Sequence, residues 1–130
     1  MLTMDYNAQQ LLQLLCSEYD LISEKFQSDP LPVFVETFKN EYGYCLVRSA
    51  AGSQRFSIVS VNFTPSARGQ GVFTQFIQYI ANNPHHYLGV EVEVIENQGL
   101  AKKLLSLGWQ YKSIFNRWFC TKTPSLVKNF

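Results

Sequence analysis

The strongest constraint on the fold of this chain is a pair of glycines in the segment Arg68-Gly69-Gln70-Gly71-Val72-Phe73. The segment lies between a strand-like run, Phe56 to Phe63, and a helix-like run, Thr74 to Ile80. Glycines at a strand-to-helix junction allow a tight backbone turn and leave its N–H groups uncovered by side chains. The first turn of the helix adds unpaired N–H donors and the positive end of the helix dipole. The segment therefore predicts an anion pocket suited to a pyrophosphate.

Two common phosphate-binding motifs are excluded by the residues around this turn. A dinucleotide-binding fingerprint requires a small residue three positions after the second glycine, where Thr74 stands. A P-loop requires a lysine followed by serine or threonine, and no lysine follows Gly71. What remains is an Arg-x-x-Gly pattern that begins shortly after Pro65.

This pattern resembles the signature of the GNAT superfamily of N-acetyltransferases, Gln/Arg-x-x-Gly-x-Gly/Ala, with Phe73 in place of the final small residue. Val61-Asn62-Phe63-Thr64-Pro65 resembles the family's fourth strand and the proline before its arginine. Val92-Glu93-Val94, followed by Asn97, resembles the fifth strand and the start of the fourth helix. The resemblance covers Gln54 to Thr121 and suggests a small, front-truncated member of the family.

The resemblance implies an α/β (α+β) fold: a GNAT-like mixed, mostly antiparallel sheet flanked by helices and splayed at the cofactor cleft. Hydrophobic periodicity and turn residues predict a compatible order of elements. These are a helix over 7–26, strands over 33–38, 44–48 and 55–63, a helix over 70–82, a strand over 87–95, a helix over 98–107, and a closing hairpin of 110–114 with 117–121. Residues 1–130 are predicted to form a single domain with a loose tail at about 124–130.

Acetyl-CoA is the cofactor that the resemblance implies. Its thioester arm would pair with the main chain of Val61, Asn62 and Phe63, and its pyrophosphate would lie on the amides of the turn. The turn residues concerned are Arg68, Gly69, Gln70, Gly71, Val72 and Phe73. For Arg68 the alternatives are phosphate binding and capping of the loop. Asn97 matches a family asparagine near the cofactor arm, and a helix N-cap is an equally good interpretation.

Two glutamates are the candidate catalytic residues, Glu93 as the general base and Glu91 in support. The resemblance places one family glutamate at Glu93, whereas Ser57 stands at the family's other position for a base. Strand alternation puts both glutamates on one face, where two carboxylates would raise each other's pKa. The alternative is a pair of charges matched by Lys or Arg. The tyrosine that acts as the general acid in the family has no counterpart here, because Leu104 and Leu105 occupy the candidate positions.

Composition limits the partners and the compartment. Of 130 residues, 46% are hydrophobic and 15% aromatic, which suffices for one full core. Eleven basic and ten acidic residues leave the chain near neutrality, so nucleic acid is not an expected partner. No apolar run approaches the ~20 residues of a membrane span, so no membrane contact is expected. Three widely spaced cysteines predict reduced thiols, a cytoplasmic location and no metal site.

Two classes of function follow from these observations. One is an acetyl-CoA-dependent N-acetyltransferase that acts on a primary amine of a small molecule or a protein. The other is a GNAT-like acyl-CoA-binding or protein-interaction module with little or no catalysis. The aromatic and basic residues of the closing hairpin, Gln110 to Thr121, also predict a homodimer, because such residues anchor interfaces.

Overall fold

A computed structural model describes residues 4–26, 34–49, 54–93, 98–113, 117–118 and 124–130. The chain begins with a helix and three strands, and two further helices then alternate with the remaining strands. These elements are α1 (Tyr6–Phe26), β1 (Phe34–Asn40), β2 (Gly43–Ser49), β3 (Arg55–Phe63), α2 (Val72–Asn82), β4 (Gly89–Val92), α3 (Gln98–Ser106), β5 (Gln110–Tyr111) and β6 (Leu126–Asn129).

The described strands form one sheet in the order β1-β2-β3-β4-β6-β5. The pair β3 and β4 is parallel, and the other neighbouring pairs are antiparallel. Parallel strands cannot be joined by a tight turn, so α2 provides the crossover between them. The prediction of a mixed, mostly antiparallel sheet flanked by helices is confirmed.

Aromatic rings join the first two helices to the sheet. The apolar face of α1 recurs every three or four residues, as an amphipathic helix requires, and it buries Tyr19 completely. The Tyr19 ring meets Phe56 of β3 edge-on at a centroid distance of 5.0 Å and Phe76 of α2 at 6.3 Å. Burial of each such side chain stabilises the fold by about 1.5–3 kcal/mol. This packing fixes α2, and with it the turn that precedes α2, relative to β3.

The parallel pairing ends well before β3 does. It runs from Arg55 opposite Gly89 to Ile58 opposite Val92, and the Glu93 N–H donates to the Ile58 oxygen at 2.9 Å. β3 continues to Phe63, and no described residue pairs with its β4 side beyond Ile58. Residues 94–97, which follow β4, lie outside the described part of the chain. Among the described residues, the second half of β3 therefore has a strand partner on one side only, as a splay between β3 and β4 requires.

The C-terminal residues form a strand, so the prediction of a loose tail is wrong. β6 lies between β4 and β5, with Leu126 opposite Val92 and Asn129 opposite Gly89. Leu126 is 0% exposed and Val127 5% exposed, so both belong to the interior. Two adjacent apolar residues are too short a run to indicate a buried strand, which explains why the periodicity did not predict it.

The closing hairpin is also wrong in its second strand. β5 pairs with β6, so Gln110 lies opposite Val127, and residues 119–121 of the predicted partner strand lie outside the described residues. Of that predicted strand the structure describes Arg117 and Trp118, which lie in a helical turn where the Arg117 N–H donates to the Ser113 oxygen at 3.0 Å. The aromatic composition favoured a strand, but the period of so short a run does not distinguish it from a helix.

Candidate functional site

The turn between β3 and α2 presents a row of unpaired amides. In the described part of the chain, the N–H groups of residues 68–74 have no hydrogen-bond partner, and the first helical bond joins the Gln75 N–H to the Gly71 oxygen at 2.9 Å. Gly71 is the N-cap of α2 without a side-chain capping bond, and the first turn contains no acidic residue. The end of the helix therefore keeps its positive partial charge and its free donors.

Gly69 and Gly71 are required by the backbone angle of this turn. Their φ values are +71° and +81°, in the left-handed region that costs other residues about 1–2 kcal/mol. A Cβ built on either glycine meets no atom within 4 Å, so crowding inside the protein does not explain them. The same open space beside the amides is where a bound phosphate would lie. Glycine thus both shapes the turn and leaves it uncovered.

Arg68 closes the loop on β3. Its Nε donates to the Phe63 oxygen at 2.6 Å, and its Nη2 makes a longer contact of 3.4 Å with Asn62 Oδ1. Gln70 adds a second tie, because its Nε2 donates to the Ser66 oxygen at 2.8 Å and its Oε1 accepts from the Asp5 N–H at 2.7 Å. Of the two interpretations of Arg68, the structure shows loop capping.

The remaining predicted cofactor residues contribute main chain to the site. Val72 is buried and Phe73 packs against the core, so their side chains leave the amide side uncovered. Val61 and Phe63 pack partly against the core, whereas Asn62 is exposed; all three lie in the half of β3 beyond its pairing with β4. Asn97 lies outside the described residues, so its two interpretations stay open.

A lysine from α3 lies over the first turn of α2. Lys103 Nζ donates to Thr74 Oγ1 at 3.2 Å, beside the free amides of the helix terminus. Local sequence reasoning gave no sign of this contact, because the two residues are 29 positions apart and only the packing of α3 brings them together. The result is a cation, an uncapped helix terminus and free N–H groups in one place.

Glu91 and Glu93 each have a cationic partner. Both oxygens of Glu93 accept from the guanidinium of Arg48 on β2, Oε2 from Nε at 2.8 Å and Oε1 from Nη2. This bond and the carboxylate charge raise the pKa of Arg48. Glu91, with a side chain 3% exposed, accepts from Lys112 Nζ at 3.0 Å. Paired charges, the alternative interpretation, are therefore what the structure shows.

Glu91 and Glu93 differ in how accessible their carboxylates are to a ligand. Ser57 is buried between Arg48 and Glu91 in register across three strands. Glu93 lies just past the end of β4, beside the open half of β3, with a side chain 11% exposed. A carboxylate has about four acceptor positions, and the guanidinium uses one on each oxygen. Each oxygen of Glu93 therefore keeps a free acceptor position, whereas Glu91 is enclosed.

Nowhere in the described ranges do three histidine, cysteine, aspartate or glutamate side chains gather to hold a metal ion. None of the described helices is both long and apolar enough to cross a membrane.

No protein-family model matches the chain, and no curated protein matches it. Among solved structures, nourseothricin acetyltransferase is similar at 13% identity and a TM-score of 0.41 over 66% of this chain, which spans only 55% of that protein's length. An acetyltransferase from Bacillus cereus is similar at 11% identity and a TM-score of 0.48, over 88% of this chain and 89% of that one. At this level of similarity, the argument for function depends on the residues of the chain itself.

Proposed function

We propose that the chain is an acyl-CoA-dependent acyltransferase, and specifically an N-acetyltransferase that uses acetyl-CoA to acetylate a primary amine. The observation that carries the proposal is the run of free amides at residues 68–74, directly after the half of β3 that has no described partner on its β4 side. A pyrophosphate joined to an extended thioester arm requires these two features side by side. The resemblance to the GNAT signature adds the same expectation from the sequence.

The turn fits a pyrophosphate by geometry and by charge. The free N–H groups and the positive end of α2 favour an anion, as at other helix N-termini. Lys103 lies beside the same helix terminus and would contribute a charge-assisted contact. The cap of Arg68 on Phe63 holds the loop in shape before any ligand arrives, which lowers the entropy lost on binding.

The open half of β3 fits the acyl arm. Past the bulge at Val59, alternate residues from Ser60 to Phe63 direct N–H and C=O groups to the edge that has no described partner, where an amide-containing chain can add like another strand. Bound acetyl-CoA would supply a thioester: the amine nitrogen forms the new C–N bond, the C–S bond breaks, and the thiolate takes up a proton. Backbone N–H groups at this edge would stabilise the carbonyl oxyanion.

Glu93 is the residue that we assign as the general base. It is the more accessible of the two glutamates and lies beside the edge where the thioester would be. Arg48 would act as its positioning residue, because a bidentate guanidinium fixes the orientation of a carboxylate. Glu91, buried against Lys112, would stabilise the strand without touching the substrate.

A second candidate function is cofactor binding without catalysis. The ion pair that occupies Glu93 favours it, because a substrate ammonium would have to compete with Arg48 for both oxygens of the carboxylate. The absence of the family's tyrosine favours it too, since Leu104 at a candidate position is buried and has no proton to donate. Binding of acetyl-CoA combined with no thiol release across an amine panel would identify this second function.

The experiment that tests the proposal is a calorimetric titration of the chain and three glycine variants with acetyl-CoA. Gly71→Ala and Gly71→Glu share the cost of a Cβ at φ +81°, but only glutamate adds an anion beside the free amides. Gly108→Ala is the matched control, because Gly108 has φ +95° and open space around it and lies outside the turn. We expect saturable, salt-sensitive binding that Gly71→Glu abolishes and Gly108→Ala leaves unchanged. No heat and no thermal shift at millimolar acetyl-CoA would reject the proposal.

A further inference from the structure

An open pocket of about 400 Å³ lies beside the C-terminal end of β3, on the side away from β4. The turn between β1 and β2 forms one wall, and the residues from Asn62 to Arg68 form the other. The side chains that line it include Lys39, Glu41, Tyr44, Asn62, Thr64 and Arg68. The pocket therefore shares Asn62 and Arg68 with the loop assigned above to the acyl donor, but it opens toward the opposite edge of β3.

The floor of the pocket is a row of side chains across three strands. Lys39 of β1 lies opposite Tyr44 of β2, and Tyr44 lies opposite Asn62 of β3, so the three share one face of the sheet. Neighbouring strands are about 4.8 Å apart, which places the Lys39 backbone about 10 Å from β3. The turn is packed directly on β3, because a Cβ on Gly43 would lie 2.7 Å from the Asn62 oxygen. The pocket wall is therefore fixed by close backbone packing.

The charges of the pocket favour a singly charged anion. Lys39 has no hydrogen-bond or ion-pair partner in the part of the chain that the structure describes. Arg68 is held in place at the pocket wall by Phe63 and Asn62. Glu41 supplies one negative charge, so the two cations leave a net charge of +1 in the lining. A carboxylate matches this charge better than a phosphate dianion does.

On the same face of the sheet, the Glu93 carboxylate lies at the end away from the pocket. Tyr44 and Arg48 are four residues apart on β2 and share a face, about 13 Å apart along the strand, and Arg48 holds Glu93. A ligand that lay along this face would meet the Glu93 carboxylate at one end and the Lys39 and Arg68 cations at the other.

We propose that this pocket binds the carboxylate of the acyl acceptor, so that the acceptor is a primary amine that also carries a carboxylate. The inference rests on the proposed function, because Glu93 and the open edge of β3 locate the reacting amine. In the reaction the ammonium loses a proton to Glu93, the nitrogen forms the C–N bond to the acetyl carbon and the C–S bond breaks. The second proton lost by the nitrogen passes to the thiolate, which leaves as the CoA thiol. Lys39 and Arg68 would bind the carboxylate throughout and take no part in proton transfer.

Binding to the pocket is tested without the acyl donor. Three probes of equal length are titrated into the labelled chain and followed by NMR: 6-aminohexanoate, hexylamine and hexanoate. We expect 6-aminohexanoate to shift the amide signals of Lys39, Tyr44 and Asn62 more strongly than hexylamine does. Lys39→Ala should weaken this binding about tenfold, and Lys39→Glu should abolish it, as expected for a charge-assisted contact. Lys102→Ala, on an exposed position of α3, is the matched control and should change nothing.

Turnover gives the second readout. With acetyl-CoA, kcat/KM for 6-aminohexanoate should exceed that for hexylamine by about tenfold or more, and Lys39→Ala should remove most of this preference while the Kd for acetyl-CoA stays unchanged. Equal binding and equal turnover of the two amines would overturn the acceptor assignment and leave the proposed function standing. Tighter competition by inorganic phosphate than by hexanoate would overturn the carboxylate assignment. Failure of acetyl-CoA to bind would reject the proposed function itself, and the acceptor assignment with it.

Discussion

Lys103 Nζ on α3 lies 3.2 Å from Thr74 Oγ1, within the first turn of α2. The contact holds a cation at the end of a helix that already carries positive partial charge and free N–H donors. Such an arrangement is electrostatically unfavourable in the empty protein by a few tenths of a kcal/mol to about 1 kcal/mol. An anion bound between the ammonium and the amides would make this electrostatic free energy favourable. The contact therefore suits ligand binding better than it stabilises the ligand-free fold.

The first prediction follows from this contact. Lys103→Ala should weaken acetyl-CoA binding about fivefold to tenfold, because one charge-assisted contact is lost. The stability of the ligand-free protein should not fall, since a like charge leaves the helix terminus. Lys102→Ala is the matched control, as Lys102 is the exposed neighbour on the same helix. Calorimetry and urea denaturation measure the two quantities, and equal effects of both variants on affinity would contradict the assignment.

The second prediction concerns the base. Glu93→Gln should lower kcat by ~10² or more and leave the Kd for acetyl-CoA unchanged, as for loss of a positioned base. Arg48→Met should lower kcat less, because the carboxylate remains but loses its bidentate partner. The pH–rate profile is the decisive measurement. If the profile of Glu93→Gln keeps the acidic limb of the parent protein, Glu93 is not the base.

Features of the site that depend on neighbouring residues were predictable from the sequence, whereas contacts between residues far apart in the chain were not. The turn at Gly69 and Gly71 was predictable, because positive φ and free amides are local properties of a glycine pair before a helix. The partner of Glu93 is 45 positions away and that of Glu91 is 21 positions away, and no local pattern encodes such distances. The two glutamates therefore looked like an interacting pair, whereas folding gave each one its own cation.

The third prediction is a pH dependence at the contact between α1 and α2. The Tyr79 hydroxyl donates to Asp20 Oδ2, and His85 Nε2 lies 2.8 Å from Asp20 Oδ1. The bond to Asp20, together with burial and the charge of Asp20, raises the pKa of Tyr79 from 10.0 to about 12. Because the folded value is the higher one, the stability gained is full below pH 10 and is lost as pH rises through about 12.

Tyr79→Phe should therefore reduce the loss of stability above pH ~10 and lower stability near neutral pH by about 1 kcal/mol, the value of a typical hydrogen bond. Burial raises the pKa of Tyr87 to about 12 as well, so part of the alkaline loss should persist in this variant. Tyr6→Phe is the control, because Tyr6 is largely exposed. Urea midpoints at neutral and alkaline pH provide the measurement. The same alkaline slope in Tyr79→Phe and in the parent protein would reject the coupling to Asp20.

The fourth prediction concerns assembly. We propose that the chain forms a homodimer through its C-terminal region, because Trp118 is 71% exposed and follows Arg117, two residue types that anchor interfaces. Trp118→Glu should shift the mass measured by light scattering from dimer to monomer and leave the monomer folded. Leu21→Glu, an exposed apolar residue on α1, is the control for a general loss of surface hydrophobicity. A parent protein that is monomeric at high micromolar concentration would end this proposal.

The last prediction tests whether residues 124–130 form a central strand of the sheet or a loose tail. Leu126 is fully buried between β4 and β5, whereas Phe130 at the end of the chain is 46% exposed. Leu126→Ala should lower the free energy of unfolding by about 2–5 kcal/mol, because it removes buried methyl groups and leaves a cavity that the sheet cannot fill. Phe130→Ala should lower it by much less, since the ring is already in contact with solvent. The two changes lie four positions apart, so fraying of the terminus would affect them in the opposite order. Urea denaturation of both variants decides between the arrangements: similar small losses would mean that β6 does not hold β4 and β5 together, and the site beside β4 would then lack its support.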